Sequence, residues 1–428
     1  MIPRQTLNLP EEWEPPLVLL VGMGMSKEDL SLLVLRTIQR AEILAGGERH
    51  LMAFADLRAS RIELRSNLEG FLENIAEVSR EKRTAVLASG DPLFYGIGSR
   101  LISVLGGDRV LVLPNITSVQ ALFARLGEPW ENVQVASLHG RDQRTSTSRL
   151  LHVVGRHLRV AVFTDPRHTP GWIAQTLLNA GVANRSMVVA EDLGLPSEKV
   201  GRFRLEEALD REFSPLNLVA VLAAEAGEAG GKEEKCTPVF GFPEEDFQHQ
   251  GGLITKMEVR AVVLAHLQLC PGQVLWDLGA GSGSVSIEAA RIASLGQVFA
   301  VEKHEARVRD LAANARRFGC FEVSPVHGSA IRVIDDLPDP DRVFIGGSGN
   351  DLEAILEKVA LRLRPEGRVV QTAVTLDTLE RARSFWMSRP FTMSITQLQI
   401  SRSVPIGGSI RLDALNPVFV ITAWRQGD

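Results

Sequence analysis

Residues 274–291 read VLWDLGAGSGSVSIEAAR: an apolar run ending in Asp277, glycines at 279, 281 and 283 with Ser282 among them, then a helix-like segment. Glycines in that pattern let the chain turn sharply and let a ligand lie directly on the backbone. Their spacing selects the ligand. A dinucleotide fingerprint needs G-x-G-x-x-G, yet the last position is Ser284 counted from Gly279 and Ser286 counted from Gly281, so no diphosphate seat is present. Glu302 closes the next apolar run, 25 residues after Asp277, where a carboxylate can accept both hydroxyls of a ribose. The pattern points to a nucleoside-bearing ligand without a pyrophosphate. Gly328, Ser329 and Ala330 follow a short apolar strand and could cover its base.

A second set of glycines lies near the N-terminus. Val21-Gly22-Met23-Gly24 follows one apolar run, and Ser89-Gly90-Asp91-Pro92 follows another, with Gly96 and Gly98 behind it. A Gly-Asp-Pro turn at a strand end exposes backbone to a ligand, although any one such tripeptide is more often a plain turn.

Both sets must be held by strands alternating with helices, the pattern of an α/β protein. The spacing predicts strands at Leu17–Val21, Thr84–Ala88, Val110–Leu113, Val160–Phe163, Met187–Ala190 and Leu218–Leu222, with amphipathic segments such as Asp29–Leu44 and Thr117–Leu126 between them. It predicts a second series at Val274–Leu278, Gln297–Val301, Arg342–Ile345 and Arg368–Thr372. The matching helices are Val259–Leu269, Ser284–Ala293, Glu305–Phe318 and Asp351–Arg364. Two alternating runs, Phe391–Ile400 and Pro417–Ala423, predict an antiparallel pair at a sheet edge. Residues 223–238 combine small residues, Gly, charge and Pro without a large apolar anchor and read as a linker, so the domains are expected at 1–222 and 239–428.

The 428 residues suffice for two full cores. The formal charge of −5 argues against a broad grip on nucleic acid. Three cysteines without a C-x-x-C pair argue against a disulfide framework or a structural metal site. With neither a signal core nor a long apolar window, the chain is expected to be cytoplasmic and free of the membrane. One bias stands out: 8 of the 47 basic residues are Lys and the rest Arg. A G+C-rich genome explains that, but Arg also forks carboxylates as Lys cannot.

The glycine turn with Glu302 resembles the Rossmann-like S-adenosylmethionine (SAM) methyltransferases. More narrowly, residues 251–290, with Thr-Lys-x-Glu-Val-Arg at 255–260 and IGGSGNDL at 345–352, resemble the decarboxylating corrin-pathway methyltransferases that act on precorrin-6B. The first half resembles the tetrapyrrole methylase family, which binds SAM in a cleft between two α/β subdomains. The resemblance rests on GGERHL at 46–51, NITSVQALFARLGEPW at 115–130, SLHGR at 137–141, FTDPRHTPGWIA at 163–174, EDLGLPSEKV at 191–200 and SPLNLVAVL at 214–222. It departs after Gly24, where Met25-Ser26-Lys27 stands in place of the usual further Gly and Asp.

Together these resemblances imply one SAM per domain, methylation of carbons 5 and 15, loss of the ring-C acetate carboxyl to give precorrin-8X, a precorrin as substrate and a homo-oligomer. Gly22, Gly24, Gly90, Asp91 and Ser118 are then expected around the first SAM. Thr255, Gly279, Gly281, Ser282, Gly283, Glu302, Gly328, Ser329 and Ala330 are expected around the second. His139 is the candidate for a polar role in the first cleft, and His327 in the second. Arg260, Arg402 and Arg411 are candidates for holding retained carboxylates, whereas the departing acetate should not be ion-paired, because pairing would stabilise its ground state. A nucleic-acid methyltransferase is disfavoured by the lack of an Asn/Asp-Pro-Pro-aromatic element and by a single tyrosine, Tyr95. A non-catalytic SAM-binding scaffold would be expected to carry a degraded glycine turn, and this one is intact.

Overall fold

The computed structural model describes residues 13–425 apart from 141, 183, 224–237, 294–295, 348 and 350. Most of the expected linker thus lies outside the described residues. By its contacts the chain forms two compact units: Met1–His139, Ala161–Gly171 and Ser186–Leu222, and Gly140–Val160, Trp172–Arg185 and Ala223–Asp428. Residues 140–160 and 172–185, within the first half by sequence, belong to the second unit by contact.

The N-terminal sheet comprises β1 (Val18–Gly22), β2 (Ile43–Gly46), β3 (Ser60–Glu63), β4 (Thr84–Ala88) and β5 (Val110–Leu113) in the order β3-β2-β4-β1-β5. Every neighbouring pair is parallel. The unbroken apolar runs follow from burial on both faces: Leu19 and Val21 enter one core, Val18 and Leu20 the other. The next sheet holds β6 (Gln134–Ser137), β7 (Arg159–Phe163), β8 (Arg185–Glu191), β9 (Lys199–Arg204) and β10 (Asn217–Ala223), ordered β6-β7-β10-β8-β9, with β8 and β9 antiparallel.

The C-terminal sheet contains β11 (Val274–Leu278), β12 (Gln297–Glu302), β13 (Val323–His327), β14 (Arg342–Ile345), β15 (Arg368–Ala373), β16 (Phe391–Leu398) and β19 (Val418–Arg425). Its order is β13-β12-β11-β14-β15-β19-β16, and β17 (Ser401–Ile406) with β18 (Ser409–Ala414) forms a separate hairpin. The first five strands run parallel, and strand order reverses between β11 and β14, where ligands bind in open α/β sheets. The expected closing pair is present, but β19 sits between β15 and β16, so β16 alone forms that edge.

The segment Asp29–Leu44 is not one amphipathic helix. Its helix spans only Leu32–Ile38, and Ile43 and Leu44 begin β2, buried between β3 and β4. Strand pairing overrides local periodicity there.

Candidate functional site

In the first unit, the carboxyl ends of β1 and β4 are tied by a bridge in which Gly24 N donates to Gly90 O at 3.3 Å and Gly90 N to Gly24 O at 3.0 Å. Asn115 Nδ2 donates to Gly22 O at 3.0 Å. The acid missing after Gly24 is supplied from farther along. Asp29 Oδ2 accepts from Met25 N at 2.7 Å and Ser26 N at 3.3 Å, a role for Asp29 that the sequence pattern did not reveal. Asp91 organises its own turn, accepting from Leu93 N at 2.8 Å. Thr117 caps the helix that Ser118 begins, with Gln120 reaching back in a capping box. His139 donates Nδ1–H to Thr164 O at 3.0 Å. The single tyrosine touches the second sheet: Tyr95 Oη donates to Val135 O, and its ring lies 5.6 Å from that of Phe163.

In the second unit, a cavity of about 830 Å³ opens at the ends of β11, β12 and β14. Thr255, Gly279, Gly281, Ser282, Glu302, Gly328, Ser329 and Ala330 all line it. Gly283 does not; it begins helix Ser284–Ile292 from the left-handed region. The fit to a nucleoside is visible at Gly281, whose φ is +56° and whose absent Cβ would point into the cavity, with Leu253 O the nearest protein atom at 3.9 Å. Glu302 is buried, accepting from Gly281 N at 3.0 Å and His304 N at 2.9 Å, with Arg307 at 3.9 Å. A carboxylate has about four acceptor positions, so two remain for ribose hydroxyls.

Asp277 is fully buried behind the turn, its Oδ2 accepting from Ser286 N at 3.2 Å and Ser286 Oγ at 2.5 Å while Oδ1 has no partner. Burial, and less strongly the charge of Glu302, push its carboxyl up to about 7, against the Ser286 hydrogen bonds. The unfolded chain ionises Asp277 near 3.8, so this group's stabilising contribution is lost as pH rises from about 4 to about 7. Denaturant titrations of Asp277→Asn should show the variant gaining on the parent across that interval; a pH-independent difference would contradict the assignment.

The arginines proposed to hold substrate are occupied otherwise. Arg260 is fully buried, ion-paired to Glu288 at 2.8 Å and donating to Thr255 O at 2.8 Å and to Phe242 O, so it positions Thr255 and cannot reach a ligand. Arg402 is clamped by Glu258 and Glu244, with Nε and Nη1 donating to one and the other at 2.9 Å. Those bonds from Arg402 hold the Glu244 carboxyl down to about 2, so the clamp stabilises above the ordinary carboxylate range and is lost as pH falls toward 2. Arg402→Ala should lower stability by roughly 1–3 kcal/mol at neutral pH, less than for a fully buried pair, read as a shift in denaturant midpoint; an unchanged midpoint contradicts it. Arg411 pairs with Asp413 on the exposed hairpin. His327 donates to Lys303 O at 3.2 Å and is absent from the cavity wall.

The cations that do line the cavity are Lys256, Lys303 and Arg307, beside apolar Ile254, Val259, Phe344 and Val374. Sequence composition drew attention to Arg; two of the chain's eight lysines stand here. Among the described residues no group suits a bound metal, and no helix is long and apolar enough to cross a membrane.

Comparison with known proteins matches residues 17–209 to the Tetrapyrrole (Corrin/Porphyrin) Methylases and residues 245–426 to the Precorrin methyltransferase domain. The chain is 31% identical over 396 residues to a Sinorhizobium protein named precorrin-6Y C(5,15)-methyltransferase (decarboxylating), covering 91% of each. Two separate Salmonella typhi proteins each match part of the chain. One, a cobalt-precorrin-7 C(5)-methyltransferase, is 39% identical over 42% of this chain and 87% of its own length. The other, a cobalt-precorrin-6B C(15)-methyltransferase (decarboxylating), is 37% identical over 40% of this chain and 90% of its own.

Proposed function

The chain belongs to the family of precorrin-6Y C(5,15)-methyltransferases (decarboxylating), and on that premise we propose that its two glycine-turn sites divide the family's reaction between them. The chain is a SAM-dependent methyltransferase of cobalamin biosynthesis that methylates carbons 5 and 15 of precorrin-6Y, also called precorrin-6B, and removes the ring-C acetate carboxyl to give precorrin-8X. Residues 1–222 carry the C5 transfer, and residues 239–428 carry the C15 transfer with the decarboxylation. The names of the two Salmonella relatives, one acting on a cobalt-precorrin-6B and the other on a cobalt-precorrin-7, support an order in which C15 methylation and decarboxylation precede C5 methylation. The observation that carries the division is the pair of independently built turns, Gly24 with Gly90 and Gly279 through Gly283, each outside the carboxyl ends of the parallel strands of its own sheet.

Each site holds one SAM, which supplies an electrophilic methyl group on a sulfonium. The protein's part is alignment, which in the best intramolecular cases lowers a barrier by ~7–11 kcal/mol. In the second site Glu302 takes the ribose hydroxyls, Gly281 leaves the backbone open to the nucleoside, and Thr255 is fixed from behind by Arg260. Lys256, Lys303 and Arg307 suit the carboxylates that the substrate keeps, and the apolar stretch of wall suits the one that departs. Stripping water from that carboxylate favours its loss, because the conjugated macrocycle accepts the electron pair.

Incubating the full chain with precorrin-6Y and methyl-labelled SAM should yield two labelled methyl groups and one carbon dioxide per tetrapyrrole. A product with fewer methyl groups, or with the acetate carboxyl intact, would refute the reading. A homo-oligomer, expected in the cytoplasm, belongs to the same proposal; Ile410 and Leu412, more than two-thirds exposed on the hairpin, support the oligomer, and sedimentation of the purified chain as a monomer would exclude that oligomer.

A further inference from the structure

The loop after β2 carries a side-chain group that the methyl-transfer geometry does not use. β2 neighbours β4 in the parallel sheet, so Arg49 and His50, just past the end of β2, stand beside Ser89, just past the end of β4. Ser89 Oγ lies 2.8 Å from His50 Nε2 and accepts from Arg49 Nη2 at 3.3 Å. Ser89 also directly precedes Gly90 of the Gly24–Gly90 bridge, which puts this group one residue from the turn assigned to SAM.

The three side chains have different characters. His50 is 9% exposed, and burial followed by the charge of Arg49 pushes its imidazole down to about 4, so at neutral pH it is uncharged. It therefore holds Ser89 as a neutral hydrogen-bond partner. Arg49 keeps part of its surface in solvent, although burial among its neighbours holds its guanidinium below the usual value, and its only described hydrogen bond is the one to Ser89. No carboxylate of the described residues lies within ion-pair distance of it. The acid that acts on it electrostatically, Asp192, is already engaged by the hydroxyls of Ser197 and Ser214. A guanidinium has five N–H donors in a planar fork, and most of these are unused here. Such a fork, oriented by a fixed hydroxyl at the carboxyl edge of a parallel sheet, matches a carboxylate in two parallel hydrogen bonds.

We propose that Arg49, oriented by Ser89 and His50, is the seat for a carboxylate side chain of the tetrapyrrole in the first unit, fixing the macrocycle beside the methyl donor. The proposal rests on the C5-methyltransferase reading of that unit. Arg49 is the binding residue; Ser89 and His50 are positioning residues that act through it. SAM also has a carboxylate, so the experiment separates the two sources.

In the full chain, with precorrin-7 supplied as the C5 acceptor, Arg49→Gln should raise the KM for the tetrapyrrole at least ~10-fold, the loss of one charge-assisted fork. The KM for SAM should stay within about twofold, and C15 methylation of precorrin-6Y should be unchanged, showing that the chain is folded. Arg49→Lys should restore the affinity only in part, because the charge returns without the fork. His50→Ala should raise the tetrapyrrole KM by a smaller factor. An unaltered tetrapyrrole KM in Arg49→Gln overturns the proposal, and so does a parallel rise in the KM for SAM. If the parent chain binds precorrin-7 but transfers no methyl to it, the C5 reading fails instead. An absorbance titration of precorrin-7 against the parent and Arg49→Gln then still decides the seat, since equal affinities would overturn it.

Discussion

Glu302→Gln should reduce the number of SAM molecules bound per chain from two to one in a calorimetric titration, and should stop both C15 methylation and carbon dioxide release. Both oxygens of this buried carboxylate already accept backbone N–H groups, from Gly281 and His304, and its remaining acceptor positions face the cavity. An amide in its place turns one acceptor into a donor. Either a backbone N–H of the turn or a ribose hydroxyl then meets another donor, and the negative charge is gone. Hydrogen bonds to a charged group contribute about 1.5–3 kcal/mol each, so losing one implies a fall in affinity on the order of 10- to 10²-fold. On the proposed order of reactions the effect extends further, because a chain blocked at its first step would leave the proposed C5 site without acceptor. Supplying precorrin-7 directly should restore C5 methylation. A variant that still binds two SAM with parental affinity would remove Glu302 from the site.

Gly24→Val should produce the complementary failure. Gly24 has φ of +62°, a region that costs a β-branched residue dearly, and an added Cβ would stand 2.6 Å from Asp29 Oδ2. Asp29 would have to move, releasing the N–H groups of Met25 and Ser26 that it holds and breaking the bridge to Gly90. Strain of this kind costs roughly 1–3 kcal/mol, and the turn it distorts is the one assigned to the ligand. C5 methylation of precorrin-7 should fall at least ~10²-fold in rate, as expected when alignment is lost. The glycine turn and Glu302 of the second site lie in a separate unit and should be untouched. Retention of C5 activity would show that the Gly24 turn is not where the methyl donor sits.

What could be read from the sequence was whatever depends on buried, repetitive pattern. β1, β4, β5, β11, β12, β14 and β15 are apolar runs because both faces are covered, and each was expected within about a residue of its observed ends. The largely exposed strands β3, β9, β17 and β18 are not among the expected elements, since polar alternation of that length also describes a loop. That Gly279, Gly281 and Glu302 line one cavity was legible, because glycine turns and a strand-end carboxylate are placed by backbone geometry and spacing. Its cations were not. Residue type alone suggested Arg260 and Arg402, but an arginine's availability depends on partners distant in sequence, Glu288 for one and Glu244 and Glu258 for the other. Asp29 was hidden for a similar reason: the hydrogen bonds it supplies to the first turn depend on how the chain folds back after Gly24, not on a fixed motif position.

The most direct test of two sites dividing one reaction is the product that Gly24→Val makes from precorrin-6Y and methyl-labelled SAM, with the label located by carbon NMR. The division predicts a single labelled methyl on carbon 15, a ring-C acetate shortened to methyl by loss of carbon dioxide and gain of a proton, and an unmodified carbon 5. A label on carbon 5, or two labels in one product, would contradict it.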